Sequence, residues 1–253
     1  MIPIKVLGIS GSPRKGNSLF LLEKAMEGAK AVNPKAVETE SYSIKGKTFN
    51  PCIACSYCAK HEGECVHKDD FADLRKRWMD ADAIIYSVPV YHMSIPGQLK
   101  CFIDRLGNSM FGAFLSHFPP GKETLPKWFK VIGSIAQGIH IFSGQEHTIT
   151  DLINHALVMQ SIPIPGDLWE SYIGVGGWTS NLIETDSLKK LADKEEMDAD
   201  VAVRASEVIG RRAAELAMVV KSGLLACQDM LSKDPIYQPL LKRLGERQNQ
   251  RPK

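Results

Sequence analysis

The chain has 253 residues, 44% hydrophobic and 24% charged, with 31 basic and 29 acidic side chains leaving a net charge of +2. Such a length buries a substantial core within one large domain, and the near-balanced charge gives no footprint for nucleic acid or an anionic membrane surface. No apolar run approaches the roughly 20 residues that span a bilayer, and the start Met1-Ile-Pro-Ile-Lys-Val-Leu7 lacks the features of a secretory leader. A cytoplasmic protein is therefore expected, where clustered cysteines more often bind metals than form disulfides.

The predicted elements alternate. Residues 4–9 form a short apolar strand stopped by Gly, Ser and Pro, and 18–30 have helical spacing through Leu19, Leu22 and Ala25. Residues 36–44 read as a more exposed strand, and 69–80 as a helix with acidic residues at its start. A buried strand over 83–89 precedes a helix over 96–106 with proline in its first turn. A strand at 129–136, a helix at 144–159 and a last central strand at 161–165 follow, the last despite Pro163 and Pro165. An alanine-rich helix over 198–220 closes the series.

This alternation predicts an α/β fold: a flavodoxin-like, doubly wound, five-stranded parallel sheet covered on both faces, with its ligand at the carboxyl ends of the strands. It occupies residues 1–222 and includes a cysteine-rich loop at 50–68; residues 223–253 form a C-terminal helical extension, disordered over 248–253. Cys101 and Cys227 stand alone and are expected to be small buried hydrophobes.

Gly8-Ile-Ser-Gly-Ser-Pro-Arg-Lys-Gly-Asn-Ser18 joins the first strand to the first helix. A phosphate there meets backbone N–H groups, the hydroxyls of Ser10, Ser12 and Ser18 and the positive end of a helix. Gly11 and Gly16 allow close approach, Pro13 lies in the turn, and Arg14 offsets the charge. Asn17 stands where a nucleotide-hydrolysing loop needs lysine, and G-x-G-x-x-G is missing, so a single phosphate monoester fits best. After the third strand, Pro89, Val90, Tyr91, His92 and Met93 offer apolar and π contacts and backbone hydrogen bonds to a flat heterocycle; a plain turn with core aromatics is the alternative.

Gly8 to Ser18, Pro89-x-Tyr91 and Pro96-x-x-Leu99-Lys100-x-x-x-Asp104-Arg105 resemble the NAD(P)H-dependent FMN reductase family, and the cysteine stretch resembles its iron–sulfur flavoprotein branch. The resemblance covers about the first 220 residues. It implies FMN phosphate on Ser10, Ser12, Arg14, Asn17 and Ser18, with Gly11 and Pro13 in the same loop, and the ring near Pro89 to Met93. It also places Ala136, Gln137 and Gly138, at the start of the loop reaching His140, near the ring. Gly144-Gln-Glu-His-Thr148 is similar to the helix start that follows this loop in iron–sulfur flavoproteins.

Cys52, Cys55, Cys58 and Cys65 follow at spacings that let one compact cofactor be wrapped from separate corners. Ferredoxins share the C-x2-C-x2-C opening, but their next cysteine follows closely and precedes proline. Here the spacer is longer and Val66 follows, so all four thiolates are expected to serve one [4Fe–4S] cluster. A structural zinc, whose cysteine pairs normally stand further apart, and free thiols are the alternatives. His61 and His67 receive no ligand role.

The functional expectation is electron transfer: from ferredoxin or a similar donor to the cluster, then to FMN, then to a small-molecule acceptor, with Tyr91 and His92 as proton donors. The resemblance implies a homo-oligomer, a homodimer or homotetramer, with transfer across a subunit interface. Two rivals remain: an NAD(P)H-dependent FMN or quinone reductase with structural or zinc-binding cysteines, NAD(P)H then being a transient electron donor, and a non-enzymatic carrier or sensor. Trp169 and Trp178, around Tyr172 and Gly174-Val-Gly-Gly177, either cover the ring or pack.

Overall fold

Strands buried on both faces read as near-continuous apolar runs. β1 (Ile4–Ser10), β3 (Ala83–Pro89) and β4 (Val131–Gly138) are mainly apolar and buried almost throughout, with their few polar residues mostly towards their carboxyl ends, whereas β2 (Val37–Ser43) is partly exposed and lies at the sheet edge. The computed structural model describes residues 2–115 and 125–249. All strand pairs in it are parallel, in the order β2-β1-β3-β4-β5. The order reverses direction at β1 and β3, and the carboxyl ends of β1, β3 and β4 therefore open side by side.

The fifth position is divided. β5 (Ile162–Pro163) pairs only with Val131 and Ile132, and β6 (Val175–Trp178) continues the same edge against Ile135 to Gly138. Ile162 and Ile164 donate backbone hydrogen bonds to Lys130 and Ile132, but Pro163 and Pro165 have no N–H to extend the ladder. The expected strand at 161–165 is thus cut to two residues, and Gly174-Val-Gly-Gly177, expected in a loop, supplies the rest.

On one face α1 (Asn17–Val32) and α7 (Met197–Ala226) bury Leu21, Leu22, Ala25, Ala205, Ile209 and Ala213 against Val6, Ile85 and Ile135. On the other, α3 (Phe71–Asp80), α4 (Gly97–Leu115) and α5 (Gln145–Val158) bury Trp78, Phe102 and Leu152. At about 25 cal/mol per Å² of apolar surface, these two layers are the main stabilising contribution. α4 runs well past its expected end, because neither Gly107 nor Gly112 is followed by a breaker.

α7 continues through residue 222 to Ala226, and α8 (Gln228–Leu231) and α9 (Gln238–Asn249) follow. Leu224, Leu231, Leu240, Leu241 and Leu244 form a small core with Phe129 and Tyr237. Arg243 Nη1 donates to the Ala81 carbonyl at 2.6 Å, and Lys221 pairs with the buried Asp82 at 3.1 Å, fixing the extension beneath the amino ends of the strands. The disorder expected over 248–253 does not reach Gln248 and Asn249, which are helical; residues 250–253 lie outside the described ones. Cys101 packs half-buried against the core as expected, but Cys227 is exposed at the α7 terminus, where the chain has left the sheet. Among the described residues, no helix is long and apolar enough to cross a membrane.

Candidate functional site

Three loops meet at the carboxyl end of the sheet. In the first, Gly11 N donates to the Ser87 carbonyl at 2.9 Å, so the chain leaves β1 still tied to β3. A Cβ on Gly11 would stand 2.7 Å from Leu99 and 2.8 Å from Val88, so only glycine fits this approach. Ser12 Oγ accepts from Arg14 N at 3.2 Å and closes the turn around Pro13, and Arg14 itself is exposed. Ser10, Ser12 and Ser18 are buried. The Ser10 hydroxyl has no hydrogen-bond partner, and no side chain caps the first turn of α1. A buried hydroxyl beside an uncapped helix start fits an oxyanion such as a phosphate ester.

Asn17 is committed elsewhere. Its Nδ2 donates to the Glu184 carbonyl and to Ser187 Oγ, both at 3.2 Å, and its Oδ1 accepts from Leu188 N at 3.0 Å. The segment entering α6 (Ser187–Ala192) therefore walls the phosphate loop. Nothing in the sequence near Asn17 signals this partner, which lies far along the chain.

In the second loop Val90 N donates to the Gln137 carbonyl at 2.8 Å, while Tyr91 and Ser94 exchange two backbone hydrogen bonds of 3.0 Å. His92 and Met93, between them, both have positive φ (50° and 68°). That is a hairpin turn normally built from Asn and Gly, and non-glycine residues hold it at a cost of order 1 kcal/mol each. Surrounding contacts fix it: Ser94 Oγ donates to Asp151, and Met93 lies against Gly144 at the head of α5, where a Cβ would stand 2.9 Å away. Tyr91, His92 and Met93 are left exposed above β3, and Pro89 is buried beneath them.

In the third loop Ala136, Gln137 and Gly138 end β4, all buried. Gln145 Nε2 donates to the carbonyls of His140 (2.6 Å) and Gly177 (3.3 Å), and His140 Nδ1 bonds Asn181. Gln145, in the helix start that the sequence pointed to, thus shapes the loop together with Asn181, which the sequence did not single out. Ile139, Ile141 and the 89%-exposed Phe142 project from it and, with Tyr91 and Met93, form an apolar rim. Trp178 belongs to β6 and donates to Asp198 at 3.0 Å, whereas Trp169 and Tyr172 are exposed in the segment between β5 and β6.

The cysteine loop is held elsewhere, against the side of α4. Asn108 is central: its carbonyl accepts from the Cys58 thiol at 3.4 Å and its Nδ2 donates to Cys52 Sγ at 3.5 Å. A Cβ on Gly112 would lie 2.9 Å from the backbone of Cys58 and Ala59, so α2 (Tyr57–Lys60) rests directly on α4. Asp69 closes the loop base, accepting from Asn50 N and Nδ2 at 2.9 Å and from Arg105 Nη1 at 2.7 Å. Burial would raise the Asp69 pKa, but the hydrogen bonds from Arg105, Asn50 and Phe71 outweigh it and hold the carboxyl well below the usual range. Burial likewise would lower Arg105, yet Asp69 and Cys65 raise it. Cys58 is pushed up, by burial first and then by neighbouring Cys52 and Cys65.

Cys52, Cys55, Cys58 and Cys65 all line one cavity of about 230 Å³, together with His67, Arg105, Asn108 and Gly112. They ring it rather than converge: among the described residues, no group of three His, Cys, Asp or Glu stands ready to hold a metal ion. The backbone around them is unusual. Ala54 and Ser56, on either side of Cys55, have φ of 51° and 56°, and Glu62 has 50°. Left-handed residues of this kind occur in the nests that gather backbone N–H groups at many phosphate and iron–sulfur sites. His61 stacks on Tyr57 with ring centroids 3.7 Å apart and takes no part.

Residues 4–169 match the NADPH-dependent FMN reductase family. The chain is 32% identical over 221 residues to an iron-sulfur flavoprotein of Methanocaldococcus jannaschii, covering 86% of this chain and 100% of that one. It is 31% identical over 179 residues to an iron-sulfur flavoprotein of Archaeoglobus fulgidus, covering 71% and 85%. Among solved structures it is similar to RosB with a bound riboflavin-phosphate intermediate, with a TM-score of 0.61 and 14% identity over 91% of this chain and 87% of that one. That likeness carries the fold.

Proposed function

The chain belongs to the NADPH-dependent FMN reductase family, in its iron–sulfur flavoprotein branch, and on that premise we propose that it relays electrons from a [4Fe–4S] cluster on Cys52, Cys55, Cys58 and Cys65 to FMN and on to a small-molecule acceptor. It is a flavin-dependent oxidoreductase. The observation that carries the cluster reading is the single cavity that all four cysteines line, with the left-handed Ala54 and Ser56 on either side of Cys55. A cavity that gathers four thiolates suits an anionic thiolate-bound cluster, whose potential responds to the hydrogen bonds around its sulfurs.

Ser10, Ser12, Ser18 and the start of α1 receive the flavin phosphate, with Gly11 and Pro13 shaping the loop and Arg14 offsetting its charge from outside. Asn17 contributes through the wall it builds with 184–188 and its place in the first turn of α1. Pro89 to Met93 and Ala136 to Gly138 flank the ring. When bound, the two groups supply one-electron chemistry at the cluster and one- or two-electron chemistry at the flavin. Tyr91 and His92, exposed on the turn above β3, donate protons to the acceptor, and the rim of Ile139, Ile141 and Phe142 excludes water.

The cysteine cavity meets α4 at Asn108 and Gly112, which at 1.5 Å per residue lie roughly 16–23 Å along the helix from Gly97. That separation supports transfer to the flavin of a second copy in a homodimer or homotetramer, with ferredoxin or a similar one-electron donor serving the cluster.

Anaerobic purification with iron, sulfide, zinc and flavin quantified together tests the reading. About four irons and one FMN per chain are expected. Zinc without sulfide overturns the cluster, and rapid flavin bleaching by NADPH without ferredoxin overturns the donor.

A further inference from the structure

The cysteine cavity has one charged wall that the cysteines do not make. Arg105, on α4, lines it with a side chain only 1% exposed. Its Nη1 donates to Asp69 at 2.7 Å and to the Asn50 carbonyl at 3.3 Å, and the guanidinium lies 4.2 Å over the Phe71 ring. These contacts occupy one nitrogen and one face. Nε and Nη2 are buried and have no hydrogen-bond partner. They form a single edge of the guanidinium, two parallel donors of the kind that grips an anion. Arginine can shed neither its charge nor its protons, and unmet donors in a dry site are unfavourable. The edge therefore demands an acceptor, and Cys65 lines the same cavity wall as Arg105.

We propose that Arg105 is a built-in countercharge for the thiolate-held cluster: Nε and Nη2 donate to the Cys65 sulfur and favour the reduced form over the oxidised one. The inference rests on the iron–sulfur reading above. Each electron from the external one-electron donor adds one negative charge to the group and no proton. A fixed cation in a low-dielectric wall is worth more to the more negative state, and hydrogen bonds to cluster sulfur act in the same direction. Asp69 holds the guanidinium in register but engages only Nη1, leaving the other edge to the cavity. Lysine at this position would keep the charge and lose the paired donors.

The test uses the full chain as wild type, Arg105→Lys and Arg105→Gln, each reconstituted anaerobically with iron and sulfide. Iron and acid-labile sulfide per chain are assayed, and the cluster midpoint is read by redox titration with the flavin midpoint as internal reference. In Arg105→Gln the ratio of reduced to oxidised cluster, read at the wild-type midpoint, is expected to fall at least tenfold, a negative shift of about 59 mV. Arg105→Lys falls between the two, and the flavin midpoint stays in place. A cluster midpoint in Arg105→Gln equal to wild type overturns the inference and leaves the iron–sulfur reading standing. Loss of the cluster from both variants in a chain that still folds and binds FMN also overturns it, since Arg105 then only staples the loop through Asp69. A wild-type chain that takes up no acid-labile sulfide overturns the iron–sulfur reading itself, and the countercharge with it.

Discussion

The phosphate loop and the cysteine loop both leave the carboxyl end of a strand, yet they are held by different means. The phosphate loop hangs from a strand buried on both sides, its backbone tied to β3 through Gly11 and its hydroxyls fixed by β1 and α1. The cysteine loop follows the edge strand β2 and has no sheet to lean on, so a helix flank and one buried ion pair position it. The first site is stiff because the sheet is stiff. The second depends on a few polar contacts, and its chemistry is correspondingly easier to disturb without disturbing the other.

Cys65→Ala should draw the sharpest line between the two regions. Iron and sulfide are expected to fall to near zero while FMN stays near one per chain; joint loss of FMN would break the separation. Asp69→Ala comes next, because it strands Arg105 in a buried position, and removing one partner of such a pair costs about 3–5 kcal/mol. Chemical denaturation should show that loss, and hydrogen exchange should place the loosening in residues 50–69 rather than in the phosphate loop.

A third prediction concerns the packing shared by both regions. Trp78 Nε1 donates to Tyr86 Oη at 3.0 Å, and Tyr86 Oη meets His155 Nε2 at 3.1 Å in the core under α4 and α5. The tyrosine proton goes to the histidine, which must stay neutral. Burial pushes His155 down to about 4, with Asp104 opposing the shift and Lys100 adding a little to it. A folded pKa below the unfolded value means stability is fully present above about pH 6.5 and is lost as pH falls towards 4, by about 3 kcal/mol. Urea midpoints across that window should flatten in His155→Leu; an unchanged slope would remove His155 as the cause.

Two smaller effects sharpen the contrast. Gly112→Ala forces a Cβ to 2.9 Å from the Cys58 backbone, an overpacking expected to cost about 1–3 kcal/mol and to lower cluster loading with FMN affinity unchanged. Ser10→Ala removes the unpartnered buried hydroxyl, so the flavin-free chain should be as stable or slightly more so, while the FMN dissociation constant rises about tenfold (roughly 1.4 kcal/mol). Equal FMN affinity, read by fluorescence quenching, would take Ser10 out of the phosphate site.

What could be read in advance divides along the same line. Strands β1, β3 and β4 were legible because two-sided burial writes continuous apolar runs, and the loops at their ends carry their own glycines and hydroxyls. The cysteine loop was legible because its four cysteines lie within one short stretch. The split of the fifth strand was not, since Pro163 and Pro165 weaken a strand without saying where the edge resumes, and Val175–Trp178 reads as a glycine loop. Asn17 was assigned by its place in a phosphate loop, but its side chain answers to Ser187 and Leu188, and no local pattern encodes so distant a partner. Asp104 and Arg105 entered the sequence reading only as neighbours in one motif; Asp104 pairs outward with Lys100 and Arg105 turns inward to Asp69.

α4 starts beside the His92–Met93 turn and, three to four turns later, becomes the back wall of the cysteine cavity. It therefore acts as a measuring rod between the two chemistries. Insertions in the loops at either end would change length harmlessly, but one residue added between Lys100 and Asn108 would rotate Asn108 and Gly112 by about 100° relative to the turn. A redesign that moves the cysteine loop towards the His92–Met93 turn must therefore slide it along α4 in steps of about 5.4 Å.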